Sequence, residues 1–147
     1  MYDEQSYINR CGYKMSRTSI NKYRQNSVSG SAENPHQLVA AIFRQLLGNV
    51  AAAKGAIAQN NIEQRNTLIN KATSLIAVLE DSLDFENGGE LSSNLASLYE
   101  YCSILLFKAN IENNADKLEE VIQILLPIKS AWDQIPTEER NKAGFTN

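Results

Sequence analysis

The segment from Gly88 to Asn110 constrains the fold of this chain more than any other part of the sequence. Its apolar residues recur at steps of three and four, which places them on one stripe of an α-helix. They are Leu91, Leu95, Leu98, Cys102, Leu105 and Ala109. No segment of the chain shows the period-two alternation of a β-strand, so this stripe must be buried against other helices. The sequence therefore predicts an all-α protein.

Two helical patterns precede this segment. The first begins at Asn34, which can cap the helix, and Pro35 suits the first helical position. The second begins near Asn61, with Gln64 as the partner in a capping box, and we expect Gly88–Gly89 to end it. The inward-facing residues are Leu38, Ile42, Leu46, Val50, Ala53 and Ile57 in the first pattern and Leu68, Ala72, Leu75, Ile76, Leu79 and Leu83 in the second.

A fourth helical pattern begins near Asn114, with Asp116 in the first turn, where the helix dipole favours an acid. Its inward-facing residues are Leu118, Val121, Leu125, Ile128 and Trp132. Pro127 removes one intrahelical hydrogen bond, so we expect either a kink near it or a helix that ends and restarts there. The short polar connections make consecutive helices antiparallel neighbours. The predicted fold is an antiparallel up-down four-helix bundle over residues 35–135.

The segments outside the bundle differ from it in composition and charge. Residues 1–34 are rich in Ser, Asn, Tyr and Arg and predict a flexible N-terminal arm, and residues 136–147 predict a C-terminal tail. Residues 1–24 carry five bases and two acids, a charge of +3; the whole chain carries −3, so the remainder carries −6. The arm is either a frayed tail or a cap helix that folds back over the acidic bundle.

Composition and single residues argue against several classes of function. There is no basic stripe for nucleic acid and no apolar run near the ~20 residues of a membrane span. The first fifteen residues lack the apolar segment of a secretory signal, so we expect a cytoplasmic protein with reduced Cys11 and Cys102. His36 is the single histidine and cannot build a di-metal bundle; we expect it to be solvated or to cap a helix. We expect no enzyme activity, no metal and no cofactor.

The segment from Gly88 to Asn110 reads GGELSSNLASLYEYCSILLFKAN, and this sequence resembles the flagellar secretion chaperones of bacteria, the flagellin-specific export chaperones. Other parts of the family pattern occur before and after this segment, in the order in which the family has them. These are Tyr23 before a polar linker, the NPHQL helix start, Lys71–Ala72, Glu120–Val121 and Ala131–Trp132. The resemblance covers residues 20–135, and it implies the same helical fold that the periodicity predicts.

The resemblance implies a cytosolic export chaperone. Such a protein binds the disordered C-terminal segment of flagellin, prevents premature polymerisation and keeps the flagellin competent for flagellar type III secretion. The resemblance also leaves room for export-apparatus or regulatory proteins as second partners, and for a monomer or a weak homodimer. The alternative is a helical adaptor or a self-associating structural bundle without a secretion role.

The helices carry more apolar residues than one stripe can bury. The surplus residues are either edge-of-core and scattered surface residues or an exposed groove for an amphipathic partner. Of Tyr99 and Tyr101, we expect one to pack inward and the other to rim the site. Together with two arm residues that match the family pattern, the candidate client-binding residues are Ile20, Tyr23, Ile69, Val78, Tyr99, Tyr101, Ile104, Phe107, Ile122 and Leu126.

Overall fold

Four helices form the described part of the protein, residues 35–134 of a computed structural model. They are α1 (Pro35–Ala58), α2 (Ile62–Asp81), α3 (Phe85–Glu112) and α4 (Ala115–Asp133). Helix α1 packs on α2 and α4, and α3 packs on the same two helices, so α1 and α3 lie on one diagonal of the bundle. The predicted all-α up-down four-helix bundle is confirmed. The predicted arm, with its cap at Asn34, and the predicted tail lie outside the described residues.

Asparagines mark most of the turns between the helices. Asn61 caps α2 by accepting a hydrogen bond from the Gln64 amide at 3.1 Å, and Asn114 caps α4 through the Asp116 amide at 2.9 Å. Both predicted caps are confirmed. The capping box differs in detail, because the Gln64 side chain accepts from the Asn61 side-chain amide rather than from its backbone. Asn60 and Asn113 take left-handed conformations that end α1 and α3.

The predicted role of Gly88–Gly89 is wrong. Helix α2 ends at Asp81, and Asp84 caps α3 by accepting hydrogen bonds from the amides of Glu86 and Asn87. The glycine pair therefore lies inside α3, where Gly89 has φ 52° and ψ −127° and joins a first turn to the rest of the helix. The caps outweigh the glycines because Asp84 satisfies two amides that a helix start leaves unpaired.

The core follows the predicted stripes in α1, α2 and α4. Their predicted inward-facing residues are buried, except for Ile57, Leu68 and Ile128, which are half-buried at the edge of the core. In α3 the prediction holds from Cys102 onward, Leu95 is half-buried at the edge of the core, and the prediction is wrong for Leu91 and Leu98. Leu91 is 54% exposed and Leu98 is 38% exposed.

The buried line in the first half of α3 is rotated by one residue. Ser92, Tyr99 and Leu106 are buried at seven-residue spacing, where the stripe predicted Leu91, Leu98 and Leu105. Tyr99 lies within electrostatic range of Glu80 on α2. The first half of α3 therefore turns its buried face towards α2. This rotation moves Leu91 and Leu98 out of the core, and their side chains become partly exposed.

The seam between α1 and α4 closes the bundle through His36 and Trp132. The His36 Nε2 donates to the Trp132 carbonyl at 2.8 Å, and the Trp132 Nε1 donates to the His36 carbonyl at 3.1 Å. The two rings stack with their centroids 4.8 Å apart. His36 thus caps a helix end, but that end belongs to α4 rather than to its own helix. Further along the seam, Lys54 of α1 pairs with Glu119 of α4.

Helix α4 runs without a break from Ala115 to Asp133, with Pro127 inside it. The expectation that the helix ends and restarts at Pro127 is therefore wrong. Pro127 and Gln123 are both exposed, so the Gln123 carbonyl that loses its amide partner lies on the side of the helix that water reaches. The kink stays a prediction.

Candidate functional site

The two most exposed large apolar residues of residues 35–134, Phe107 and Ile111, lie on the outer face of α3, and Ile104 lies beside them. Ile104, Phe107 and Ile111 are 45%, 65% and 67% exposed. Ile111 follows the buried Cys102 by nine positions, which places it on the opposite side of the helix at 100° per residue. The three residues have the i, i+3, i+7 spacing of a helix-pairing seam. We call Ile104, Phe107 and Ile111 the outer seam.

Tyr101 forms the α4 side of this face. It is 44% exposed, and its hydroxyl donates to the Glu120 carboxylate at 2.6 Å. That hydrogen bond, followed by partial desolvation, raises the pKa of the Tyr101 phenol. The bond fixes the ring across the α3–α4 junction, so Tyr101 extends the outer seam towards α4.

The charges around the outer seam are mostly acidic. Glu100 lies one turn before Ile104, and Glu112 follows Ile111 directly; both are exposed. Lys108 is the one base of α3. An apolar strip bounded by acids suits an amphipathic segment whose flanking residues are polar or basic.

The predicted client-binding residues do not gather into a single groove. Tyr101, Ile104 and Phe107 come together on α3, whereas Ile69 and Tyr99 are 2% and 1% exposed and belong to the core. Of the expected tyrosine pair, Tyr99 is the one that packs inward.

The remaining candidates are dispersed. Leu126 is 48% exposed, but it follows Glu119 by seven positions and therefore shares the face of α4 that pairs with Lys54 of α1. Val78 and Ile122 are half-buried against the core. Ile20 and Tyr23 lie outside the described residues.

Sequence reasoning missed Ile111, and it misassigned Leu91 and Leu98 to the core. Ile111 could have been found from its spacing to Ile104 and Phe107, which repeats the pattern of a second stripe. Leu91 and Leu98 lie on the predicted stripe, and only the rotation of α3 exposes them. With the half-buried Leu95, Ile124 and Ile128 they form a surface that we call the inner groove.

The inner groove follows from the antiparallel register of α3 and α4. Because Tyr101 bonds Glu120, residues of the two helices whose numbers sum to 221 lie at the same level. Ile124 and Ile128 are therefore level with residues 97 and 93, between Leu91 and Leu98.

Two titratable side chains of the described core have raised pKa values because they are buried. Burial raises the pKa of the Cys102 thiol to about 12, with a smaller contribution from Glu120, and burial also raises the pKa of the Tyr99 phenol. Residues 35–134 contain no group of three or more His, Cys, Asp and Glu able to hold a metal ion. Within the same range, no helix combines the length and the apolar character needed to cross a membrane.

Comparison with known proteins identifies the family. Residues 15–139 match the family model described as "Flagellar protein FliS". The chain belongs to the FliS family. It is 40% identical over 119 residues to a protein of Pseudomonas aeruginosa named "Flagellar secretion chaperone FliSB", covering 80% of this chain and 94% of that protein.

Two further relatives in the FliS family have lower identities and cover a similar share of the chain. The "Flagellar secretion chaperone FliS" of Vibrio cholerae is 35% identical over 127 residues, which is 85% of this chain and 93% of the relative. The protein of the same name from Bacillus subtilis is 30% identical over 123 residues, 83% of this chain and 90% of the relative. The predicted resemblance to the flagellar secretion chaperones is confirmed.

Proposed function

We propose that this FliS-family protein is a flagellar export chaperone that holds the C-terminal segment of flagellin in the cytosol. It prevents premature polymerisation and keeps the segment competent for type III secretion. The family membership supports the role of a secretion chaperone. The outer seam of α3 is the single structural observation that carries the binding proposal.

The outer seam supports a helical, amphipathic client. Three large apolar side chains on one face of α3, each about half exposed or more, offer a partner an apolar contact surface. Their seam spacing matches an amphipathic helix whose apolar residues recur at three and four positions. Such a segment is disordered until it binds, so part of its interaction free energy is lost in ordering it. A wide contact surface compensates, and Tyr101 extends the seam towards α4.

The proposed binding mode is compatible with release of the client. Ordering the client lowers its affinity per unit of buried area. The seam offers three anchors without a deep pocket, and its acidic neighbours Glu100 and Glu112 add electrostatic steering rather than affinity. A complex of this kind dissociates when the export machinery competes for the segment.

Binding of a flagellin C-terminal peptide tests the proposal. We expect Phe107→Asp and Ile111→Asp to weaken binding at least tenfold, which corresponds to about 1.4 kcal/mol, while the helical content and the urea midpoint stay close to those of the wild type. Ala51→Asp is the matched control, because Ala51 is exposed on α1, the helix diagonal to α3. It should leave binding unchanged. If the wild-type protein does not bind the peptide, the function is wrong; if Phe107→Asp binds like the wild type, the site is wrong.

A second candidate function is a self-associating helical bundle, which the heptad-like spacing of the outer seam also favours. Two copies would then pair through α3. Sedimentation velocity separates the two functions: a stable dimer that Phe107→Asp converts to a monomer, together with no peptide binding, supports self-association. A monomer that binds the peptide with one-to-one stoichiometry supports the chaperone.

A further inference from the structure

Asn87 is the one asparagine of the chain that a glycine follows. An asparagine loses its side-chain amide when the nitrogen of the next peptide bond attacks the side-chain carbonyl carbon. This attack is least hindered when the next residue has no Cβ. Asn87 is exposed and Gly88 is half-buried, so water can reach the pair. The first turn of α3 therefore carries the dipeptide of this chain that is most susceptible to deamidation.

Deamidation requires the Gly88 nitrogen and the Asn87 side-chain amide to be free to react. The Gly88 nitrogen gives its proton to solvent and forms a bond to the Asn87 Cγ, and the Nδ2 group takes up a proton and leaves as ammonia. The resulting succinimide ring is then opened by water at either carbonyl. One opening gives aspartate at position 87. The other gives isoaspartate, in which the main chain runs through the side chain. The net reaction consumes a water molecule and releases ammonia.

Asp84 holds these reacting groups in the closed turn. The Gly88 nitrogen donates to the Asp84 carbonyl at 2.7 Å, so its proton is retained in a hydrogen bond. The Asn87 Nδ2 donates to the Asp84 Oδ2 at 2.8 Å, and the Asn87 main-chain nitrogen donates to Oδ1 at 3.1 Å. The attacking nitrogen and the leaving group are thus both bonded to one residue. The turn must therefore open before the succinimide ring can close.

The first turn of α3 is a short unit that can open by itself. Gly89 has φ 52° and ψ −127° and interrupts the helix directly after Gly88, so the helix beyond it need not open with the turn. From the other side of this break, the buried Ser92 hydroxyl donates to the Asp84 carbonyl at 2.9 Å. Helix ends open at a lower free energy than the helices of the core. The turn can therefore open while the bundle stays folded.

We propose that Asn87 is a modification site of the folded protein, which deamidates at a rate set by opening of the first turn of α3, and that Asp84 restrains this opening. Aspartate at position 87 places a second carboxylate beside that of Asp84, and residues 72–107 contain no lysine or arginine to offset it. Isoaspartate lengthens the main chain by one carbon, so the helical bond from Gly88 to Asp84 is lost. The proposal holds whether or not the protein binds flagellin.

Mass spectrometry of the full-length protein, incubated at mildly alkaline pH, tests this proposal. Samples are taken over time and digested in acid, and aspartate and isoaspartate at position 87 are measured against the unmodified peptide. We expect the native wild type to react about tenfold more slowly than the same protein in urea, because a turn closed by about 1.4 kcal/mol is open roughly a tenth of the time. Native Asp84→Ala should react about tenfold faster than the native wild type, since the turn loses its cap.

Two controls separate local opening from a general loss of stability. Asn114→Ala removes the cap of α4 and should leave the rate at position 87 unchanged. Asn110 lies in the same helix as Asn87 but precedes an isoleucine, and it should keep its amide in the native samples.

Each other outcome overturns the proposal. An unmodified native protein, beside a urea sample that reacts, would mean that the folded state has no such site. Equal rates in the native protein and in urea would mean that the turn gives no protection, and equal rates in wild type and Asp84→Ala would mean that Asp84 does not restrain it. If Asp84→Ala loses its helical circular dichroism, Ser92→Ala replaces it, because it removes a bond to the same turn and keeps the cap. An unchanged rate in that variant would likewise refute the restraint.

Discussion

Replacing Gly89 with alanine should destabilise the protein, whereas the same change at Gly55 should stabilise it. Gly89 has φ 52° and ψ −127°, a conformation essentially restricted to glycine. Gly55 lies within α1, with no positive φ. A Cβ added at either position has no atom within 4 Å. Because neither methyl group would contact a neighbour, the two substitutions differ only in the backbone conformation that the alanine must adopt.

The magnitudes follow from that difference. Holding a non-glycine residue in a sparsely populated region of φ/ψ space costs about 1–3 kcal/mol. Replacing glycine also lowers the entropy of the unfolded chain, which stabilises the folded state by about 0.4–1 kcal/mol. Gly89→Ala should therefore lower the free energy of unfolding by about 1–2 kcal/mol. Gly55→Ala should raise it by up to about 1 kcal/mol, the difference in helix propensity between the two residues.

Urea unfolding followed by circular dichroism measures both changes. With a slope of about 1–3 kcal/mol per molar urea, the two midpoints should move in opposite directions by several tenths of a molar or more. The reasoning fails if Gly89→Ala is as stable as the wild type or more so, because residues 85–112 would then adopt one continuous helix at no cost. An unchanged slope m is the control that both variants still unfold from the same compact state.

Three further predictions concern single contacts. In a Cys11→Ser background, Cys102 should react with Ellman's reagent only after unfolding in urea, because burial raises the pKa of its thiol to about 12; rapid labelling of the native protein would contradict its burial. The hydrogen bond from Lys54 lowers the pKa of the Glu119 carboxyl, so this pair stabilises the fold at neutral pH and the stabilisation is lost as the pH falls through the folded pKa. The difference in free energy of unfolding between wild type and Lys54→Met should therefore shrink in acid. A difference that stays constant with pH would refute the pairing. His36→Ala should lower the free energy of unfolding, measured in urea, by about 1–3 kcal/mol. His36→Phe should lower it by less, because phenylalanine keeps the stack on Trp132 but cannot donate to its carbonyl. Equal losses would mean that stacking contributes nothing.

The sequence predicted those features of the bundle that depend on local spacing and local hydrogen bonds. The caps at Asn61 and Asn114 act over two or three residues, and the stripes of α1, α2 and α4 repeat over short steps, so both are visible in the chain. Gly88–Gly89 misled the prediction because a glycine pair marks a turn only where no stronger cap is nearby. Asp84 supplies that cap five residues earlier than Gly89.

The candidate site was less predictable because exposure is decided by neighbouring helices. Leu91 and Leu98 have the same spacing as buried residues, and only the rotation of α3 towards α2 separates them from the core. Ile69 and Ile104 are both isoleucines beside a stripe, yet one is 2% and the other 45% exposed. The contact between His36 and Trp132 joins residues 96 positions apart, so no local sequence pattern could predict it.

The seam between α1 and α4 also dictates an order of folding. Every other pair of adjacent helices is a hairpin joined by a short turn, so its loop closes at little entropic cost, whereas the α1–α4 seam joins residues separated by 65 and 96 positions. We expect the three hairpins to be structured in the transition state and the seam to form after it. Substitutions at His36 and Trp132 should accelerate unfolding and leave the folding rate nearly unchanged, a φ-value near zero by stopped-flow kinetics. A φ-value near one would place the seam in the folding nucleus.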